Sequence, residues 1–374
     1  MKKLLVRGWW TWILVVFLVG CGNEVVVKTD EDIIPEPIIE QPVIEDPVIE
    51  ELVVDSDDSE EPDAIEVVEE LDYEMVRPDE SGEIMIVMYH NLSETNTTYS
   101  RTIESFKSDL QRLFDMGFSA VSMKDYIDGN FDIEAGRTPV VLTFDDGHRS
   151  NFNYLETEDG LEIDPDCVVG ILDAFYIDNP TFGRAAIFYL NAGNPFGQPK
   201  YIEQKLQYLF DHGYEIGNHA YNHEDLNKLD AEGIQRALGK NTTHFNNLNE
   251  KLVMESLALP YGKSPQNDDL RTYVINGQFE GFEYNNHTIL RVGWKPYVPV
   301  YHVDFNKSGV HRVQSGDGDM QLSWWLDEYE KNPQRRFVSD GLENRISVPS
   351  LHLNRINVDA ISDKEVFEFD LENY

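Results

Sequence analysis

Two carboxylates and two imidazoles carry the chemical interest of this chain. Asp145 and Asp146 stand in Thr143-Phe144-Asp145-Asp146-Gly147, directly after the apolar run Val140-Val141-Leu142, and His219 and His223 repeat an imidazole at i and i+4. In a parallel sheet, ligands bind at the carboxyl ends of the strands, so adjacent acids there are aimed at a site. Histidines four apart face the same way in a helix or a tight turn, and both can reach one ion. Two His and one Asp, with room left for a water, form the donor set of a catalytic zinc. Each feature alone has a plainer reading. An Asp-Asp-Gly after a strand also makes a turn or a helix cap, and helical histidines are often surface or core groups.

The surroundings of these residues decide between the readings, because they resemble the polysaccharide deacetylase family, carbohydrate esterase family 4. Thr143 to Gly147 reproduces that family's first motif without change. The second motif, H-[S/T]-x-x-H followed by x-D-L, is matched by His219, His223, Asp225 and Leu226, with Ala220 where Ser or Thr is usual. Ile84-Met85-Ile86-Val87-Met88-Tyr89-His90 looks like the first strand of the exopolysaccharide deacetylase branch, and Phe106, Leu110, Leu113 and Gly117 follow at the spacing of its first helix. The likeness extends over about residues 83–294.

That resemblance implies a fold and a set of roles. The fold is α/β, a distorted (β/α)7-type barrel. Asp146, His219 and His223 would hold a divalent metal, with zinc first among the ions an Asp-His-His set accepts and cobalt and nickel behind it. Asp145 would stay off the metal as general base and the backbone N–H of Tyr261 would stabilise the oxyanion. Leu351-His352 echoes the family's last motif although Val348-Pro349-Ser350 departs from its flanks, so His352 is either the general acid or a surface-loop histidine. The third motif, roughly R-x-P-Y-G, departs at Ala258-Leu259-Pro260-Tyr261-Gly262. The arginine that steadies the catalytic Asp is absent at Ala258; Arg271, Arg291 and Arg312 are candidate substitutes that the sequence does not rank. The implied reaction is removal of N-acetyl groups from a cell-surface polysaccharide containing N-acetylglucosamine. The alternatives are an O-acetyl polysaccharide esterase and a non-catalytic glycan-binding lipoprotein that keeps the metal site.

Before the barrel, the chain reads as an export signal and a spacer. Lys2, Lys3 and Arg7 precede an apolar run over 9–19, too short to span a membrane and followed by glycine and charge. Leu18-Val19-Gly20-Cys21 looks like a bacterial lipobox, so residues 1–21 are expected to be a lipoprotein signal peptide. Cys21 would then be lipidated, and the protein extracytoplasmic and anchored to the cell membrane. Over 22–82 acids crowd around short apolar pairs, and Pro-Ile-Ile-Glu-Gln, Pro-Val-Ile-Glu-Asp and Pro-Val-Ile-Glu-Glu recur from Pro37. Proline breaks helices and ladders while like charges repel, so this stretch is expected to be a disordered acidic tether. The catalytic domain would then occupy 83–374.

Charge and cysteine content narrow the remaining possibilities. With 30 basic against 69 acidic residues and a net charge of −39, the sequence shows no basic run to neutralise phosphates, and a neutral or cationic glycan is expected as partner in preference to nucleic acid. One of its two cysteines is Cys21, leaving Cys167 as a packed apolar residue without a disulfide partner. A monomer is expected. Strand and helix signals alternate: strands at 84–89, 139–144 and 185–190, helices at 103–116 and 201–212, a helix beginning at 123. Such alternation implies parallel strands joined by crossover helices. Residues 155–183, rich in acids, are expected to be an insertion at the rim, either shaping a substrate groove or forming a passive surface loop. The aromatic tail, with Trp324 and Trp325 beside Leu322 and Leu326, reads as packing of a terminal helix, with sugar stacking as the alternative.

Overall fold

In the computed structural model, residues 71–370 are described, apart from residue 362. The signal peptide, Cys21 and most of the acidic spacer lie outside the described residues. Eight parallel strands form the central sheet: β1 (Met85–Tyr89), β2 (Phe118–Ala120), β3 (Thr138–Asp145), β4 (Ile187–Leu190), β5 (Glu215–Asn218), β6 (Ser256–Ala258), β7 (Thr288–Leu290) and β8 (Val313–Gln314). Their order is β7-β6-β5-β4-β3-β1-β8, with β2 paired to β3 off this path. β2 pairs with residues 138–140 and β4 with 143–145, so the long β3 serves two short neighbours in succession.

Every residue of β1, β3 and β4 is buried, as expected for strands covered on both faces. Alternate residues feed two cores. Met85, Val87, Leu142, Phe144 and Phe188 belong to one, packed under the helices, while Ile84, Ile86, Val141, Ile187 and Tyr189 belong to the other. The sheet curls until its outer strands nearly meet. Val310 forms a parallel bridge with Leu290 of β7, and three residues later the same segment becomes β8 beside β1. The expected distorted barrel is therefore present, with eight strands and a seam closed by a single bridge where a full ladder would otherwise run.

Local signals account for the helices that cover it. α1 (Tyr73–Val76) is a single turn; α2 (Ile103–Asp115) starts where the Thr102 side chain accepts from Ser105 N–H, and Gly117 (φ 80°) turns the chain into β2. α3 (Met123–Asp128) has a full capping box between Ser122 and Asp125. α4 (Val168–Asp178) and α5 (Ile202–Asp211) follow β3 and β4, and α6 (Ala231–Leu248), α7 (Asp268–Ile275) and α8 (Leu322–Lys331) complete the layer.

Two expectations about boundaries are corrected. Residues 155–183 are not one insertion: only the antiparallel hairpin at 154–157 and 160–163 departs from the repeat. α4 is the ordinary crossover helix between β3 and β4, burying Val168, Val169, Ile171 and Leu172 in the main core. Its sequence is apolar around the whole circumference, so it lacks the one-sided period that marks a surface helix. Cys167 is buried immediately before it, as expected of a packed thiol. Trp325 of α8 is also core, its Nε1 donating to the Trp294 carbonyl at 2.9 Å.

The second correction concerns residues 71–82, which the composition places in the tether but which belong to the folded unit. Asp79, Glu80 and Ser81 are buried. Asp79 N–H donates to Val338 at 3.0 Å, and Glu80 N–H to the Ser347 carbonyl at 3.0 Å. Glu80's carboxyl accepts from Ser347 N–H at 2.8 Å. Acid content suggested solvation, but here backbone donors satisfy a buried acid. Burial, with Asp340 beside it, pushes the Glu80 carboxyl up to about 8 from an ordinary value of 4.5. The folded state therefore keeps a proton that the unfolded chain releases between those values. The resulting stability is complete below the unfolded value and lost as pH rises through the folded one. Thermal melting should fall between about pH 5 and pH 8, and Glu80→Gln should flatten that dependence; a variant with the wild-type slope would refute the assignment.

Candidate active site

The carboxyl ends of β1, β3, β5 and β6 converge on a cavity of about 600 Å³. Asp145 is the last residue of β3 and Asp146 the first beyond it, where a left-handed φ of 73° turns its side chain away from the strand's alternation. His219 follows β5 directly. The segment from His219 to His223 is a turn, with left-handed Ala220 (φ 58°) and His223 (φ 55°), so the tight-turn option is the one realised. Tyr261 after β6 is left-handed as well (φ 58°). Non-glycine residues in such conformations carry strain of about 1–3 kcal/mol each and persist only where their surroundings over-determine them. Here the Asn218 side chain accepts from Ala220 N–H at 2.9 Å and donates to the Leu238 carbonyl at 3.0 Å, tying the turn to α6.

Asp146, His219 and His223 offer ligand atoms that all lie within 4.8 Å of one another. His219 Nε2 is 3.3 Å and His223 Nε2 3.5 Å from the same oxygen of Asp146. Ligands about 2.0–2.1 Å from a tetrahedral ion stand about 3.4 Å apart, so these separations fit a shared cation of zinc's size. The donors also have outer supports. His219 Nδ1 lies 2.8 Å from the Ala258 carbonyl, which fixes its N–H on that side and turns the Nε2 lone pair toward Asp146. His148 Nε2 is 3.4 Å from the second oxygen of Asp146.

Asp145 has a different environment. It is 2% exposed and receives both terminal nitrogens of Arg312, Nη1 on Oδ1 and Nη2 on Oδ2, each at 2.7 Å. Arg312 is fully buried; its Nε donates to the Arg291 carbonyl at 3.0 Å and Nη1 also reaches Thr143 Oγ1 at 3.1 Å. Burial pushes the Asp145 carboxyl up, but Arg312 and His219 outweigh it and hold the group below the ordinary carboxylate range. Of the three arginines considered as substitutes for the one missing at Ala258, Arg312 is the one at this carboxylate. Ala258 itself is wholly buried in the second core.

His352 is not at this rim. Its Nδ1 is 2.7 Å from Asp79, and it lines a separate cavity with Glu83 and Gly136, residues that precede β1 and β3. That places it at the amino ends of the strands, opposite Asp145. The Leu-His pair sits in a turn, Ser350–Arg355, that follows a strand outside the central sheet, so its order in the chain carries no barrel register. In its place the cavity holds His90, whose Nε2 is 4.0 Å from Asp145. His90 directly follows the apolar run of β1, the same signal that marked Asp145, and could have been found by it.

A buried amine supports the loops around the Asp-Asp-Gly turn. Lys205, wholly buried on α5, donates to the carbonyls of Phe152 at 2.6 Å and Phe196 at 3.2 Å, and Phe196 N–H donates to the Gly147 carbonyl at 2.6 Å. On the other side, Asn151 accepts from His148 N–H at 2.8 Å and donates to the His90 carbonyl at 2.6 Å.

Comparison with known proteins finds one matching family model and several similar chains. Residues 181–282 match the family model for polysaccharide deacetylases. The Bacillus subtilis protein YxkH, whose name assigns it to the polysaccharide deacetylases, is 23% identical over 178 residues, 46% of this chain and 55% of its own length. Among solved structures, the Streptococcus pyogenes deacetylase PplD in complex with acetate is similar with a TM-score of 0.48 and 15% identity, over 66% of this chain and 98% of that one. IcaB from Ammonifex degensii is similar with a TM-score of 0.42 and 17% identity, over 66% and 97%.

The Arg312 fork generates a prediction. Arg312→Lys keeps a cation but loses the two-pronged contact, so Asp145 is held less firmly while the Asp-His-His set is untouched. Turnover on an acetylated substrate should fall about 10²-fold or more, with bound metal measured by elemental analysis unchanged. Turnover near wild type would show that Asp145 does not need the fork.

Proposed function

We infer that this chain, carrying a polysaccharide deacetylase segment, is a metal-dependent hydrolase that removes N-acetyl groups from a polysaccharide containing N-acetylglucosamine. The observation that carries this reading is the division of labour at one rim: a carboxylate locked by a buried guanidinium, beside a second carboxylate that shares a short-range cluster with two imidazoles. One acid is tuned to remain ionised and uncoordinated; the other is grouped as a ligand.

Asp146, His219 and His223 would hold the divalent cation, with zinc favoured by the donor types and spacing. When bound, such an ion polarises a carbonyl and makes an adjacent water more acidic. Asp145, kept ionised by Arg312, accepts the proton of the attacking water. As negative charge develops on the acetyl oxygen, the backbone N–H of Tyr261 donates to it. The carbon–nitrogen bond then breaks, and Asp145 returns its proton to the departing nitrogen, giving acetate and a free amine on the sugar. The exposed ring of Tyr261, packed edge-on to His223 with centroids 4.5 Å apart, forms one wall of the cavity.

The same proposal places the protein outside the cytoplasm, tethered to the bacterial membrane through a lipidated Cys21 and reaching its polymer on the acidic spacer. The basic start, apolar run and lipobox-like Leu18-Val19-Gly20-Cys21 support this part.

The metal-loaded protein should release acetate from N-acetylglucosamine oligomers. Asp145→Asn should retain metal while losing about 10²–10⁴-fold in turnover, and His219→Ala should lose both. Release from an O-acetylated glycan alone would make the protein an esterase. Glycan binding with no release from either substrate would make it a binding module. Equal metal loss in the two variants would overturn the assigned roles.

A further inference from the structure

The amino end of the barrel holds a second cavity, of about 940 Å³, whose lining includes Arg77, Arg335, Arg336 and Arg355. In a chain with 69 acids against 30 cations, four guanidiniums around one space would be expected to have carboxylate partners. Among the described residues only Arg335 has a close one, Glu83 at 2.9 Å. Arg355 stands 3.9 Å from Asp79, whose oxygens are already engaged by His352 at 2.7 Å and by the Ser81 hydroxyl at 2.6 Å. Arg77 and Arg336 have no carboxylate within 4.0 Å among the described residues.

Their recorded contacts are with neutral groups. Arg77 Nε donates to the Glu74 carbonyl at 3.3 Å, and Arg336 Nη1 to the Met116 carbonyl at 2.7 Å. Arg336 Nε is buried without a hydrogen-bond partner. The acid packed behind this end, Glu80, does not compensate them at neutral pH, because burial holds its proton up to about 8. Arginine cannot shed its own charge, and its planar fork matches an oxyanion two oxygens at a time, so guanidiniums gathered at one cavity without close carboxylates are suited to an external anion. Arg77 also takes a left-handed backbone (φ 51°) at the end of α1, where its side chain lines the cavity.

We propose that this cavity, at the end of the barrel opposite the Asp-His-His cluster, is a binding site for phosphoryl groups, engaged by Arg77, Arg336 and Arg355. The source is either free phosphate or the phosphodiester units of an anionic polymer, and both present the same oxygens. The site stands apart from the acetyl-transferring residues and does not depend on the reading given to them.

Calorimetric titration of the full-length protein with inorganic phosphate and with short-chain polyphosphate tests it. Saturable binding is expected, weakened roughly tenfold or more in an Arg77→Ala, Arg355→Ala double variant and partly restored in the corresponding double lysine variant. Both variants leave the active-site cavity intact, so phosphate bound to a metal there cancels from the comparison. Tighter binding of polyphosphate than of phosphate identifies a polymer as the ligand; equal binding identifies the free anion. No saturable binding of either, or a double alanine variant that folds and binds as wild type does, overturns the proposal.

Discussion

The contact between Arg312 and Asp145 is the constraint on which the rest of this structure depends. Arg312 belongs to the segment that closes the barrel, between the Val310 bridge to β7 and the start of β8. Its fork ends on the last residue of β3, and its Nε is satisfied by a carbonyl just beyond β7. One side chain therefore joins three parts of the ring at the level of the Asp-His-His cluster. A buried ion pair adds little stability over an apolar pair, but removing one partner leaves an uncompensated charge worth about 3–5 kcal/mol. Such a pair disfavours any arrangement of the seam that would separate its partners.

Around that fixed point the rim is assembled from strained backbone. Asp146, Ala220, His223 and Tyr261 all occupy the left-handed region, and two of them, Asp146 and Tyr261, are followed by the left-handed glycines Gly147 and Gly262. The strain aims side chains that a strand's simple alternation would send into the core or the helices. Its opposition comes from the two apolar cores and from polar supports that are themselves buried: Asn218 under the histidine turn, Ala258's carbonyl behind His219, and Lys205 beneath the loops that follow β3. Burial lowers the Lys205 amine to about 7, so its hold on the two carbonyls weakens in charge near neutrality while its N–H donors remain.

What could be read in the sequence follows a physical division. The Asp-Asp and His-x-x-x-His elements were legible because a strand end and an i, i+4 spacing are local, and strands such as β3 show themselves as unbroken apolar runs. Arg312 was legible only as one of three candidates, because its role depends on a closure between residues far apart in the chain. His352 was misplaced for the same reason, since a motif's order says nothing of which end of a barrel it meets. α4 and residues 71–82 were misread from composition: an all-round apolar helix lacks a period, and an acid counted as solvated was buried on backbone donors.

The spread of the site along the chain has an engineering consequence. The segment recognised by the family model, 181–282, contains both imidazoles and Tyr261 but neither Asp145, Asp146 nor Arg312. Excised, it would keep the two imidazoles and Tyr261 without either carboxylate, and would leave an open sheet edge on each side. Any transplant of the proposed site must therefore carry the ring as a whole, from β1 through the seam, making the minimal portable unit a topological one.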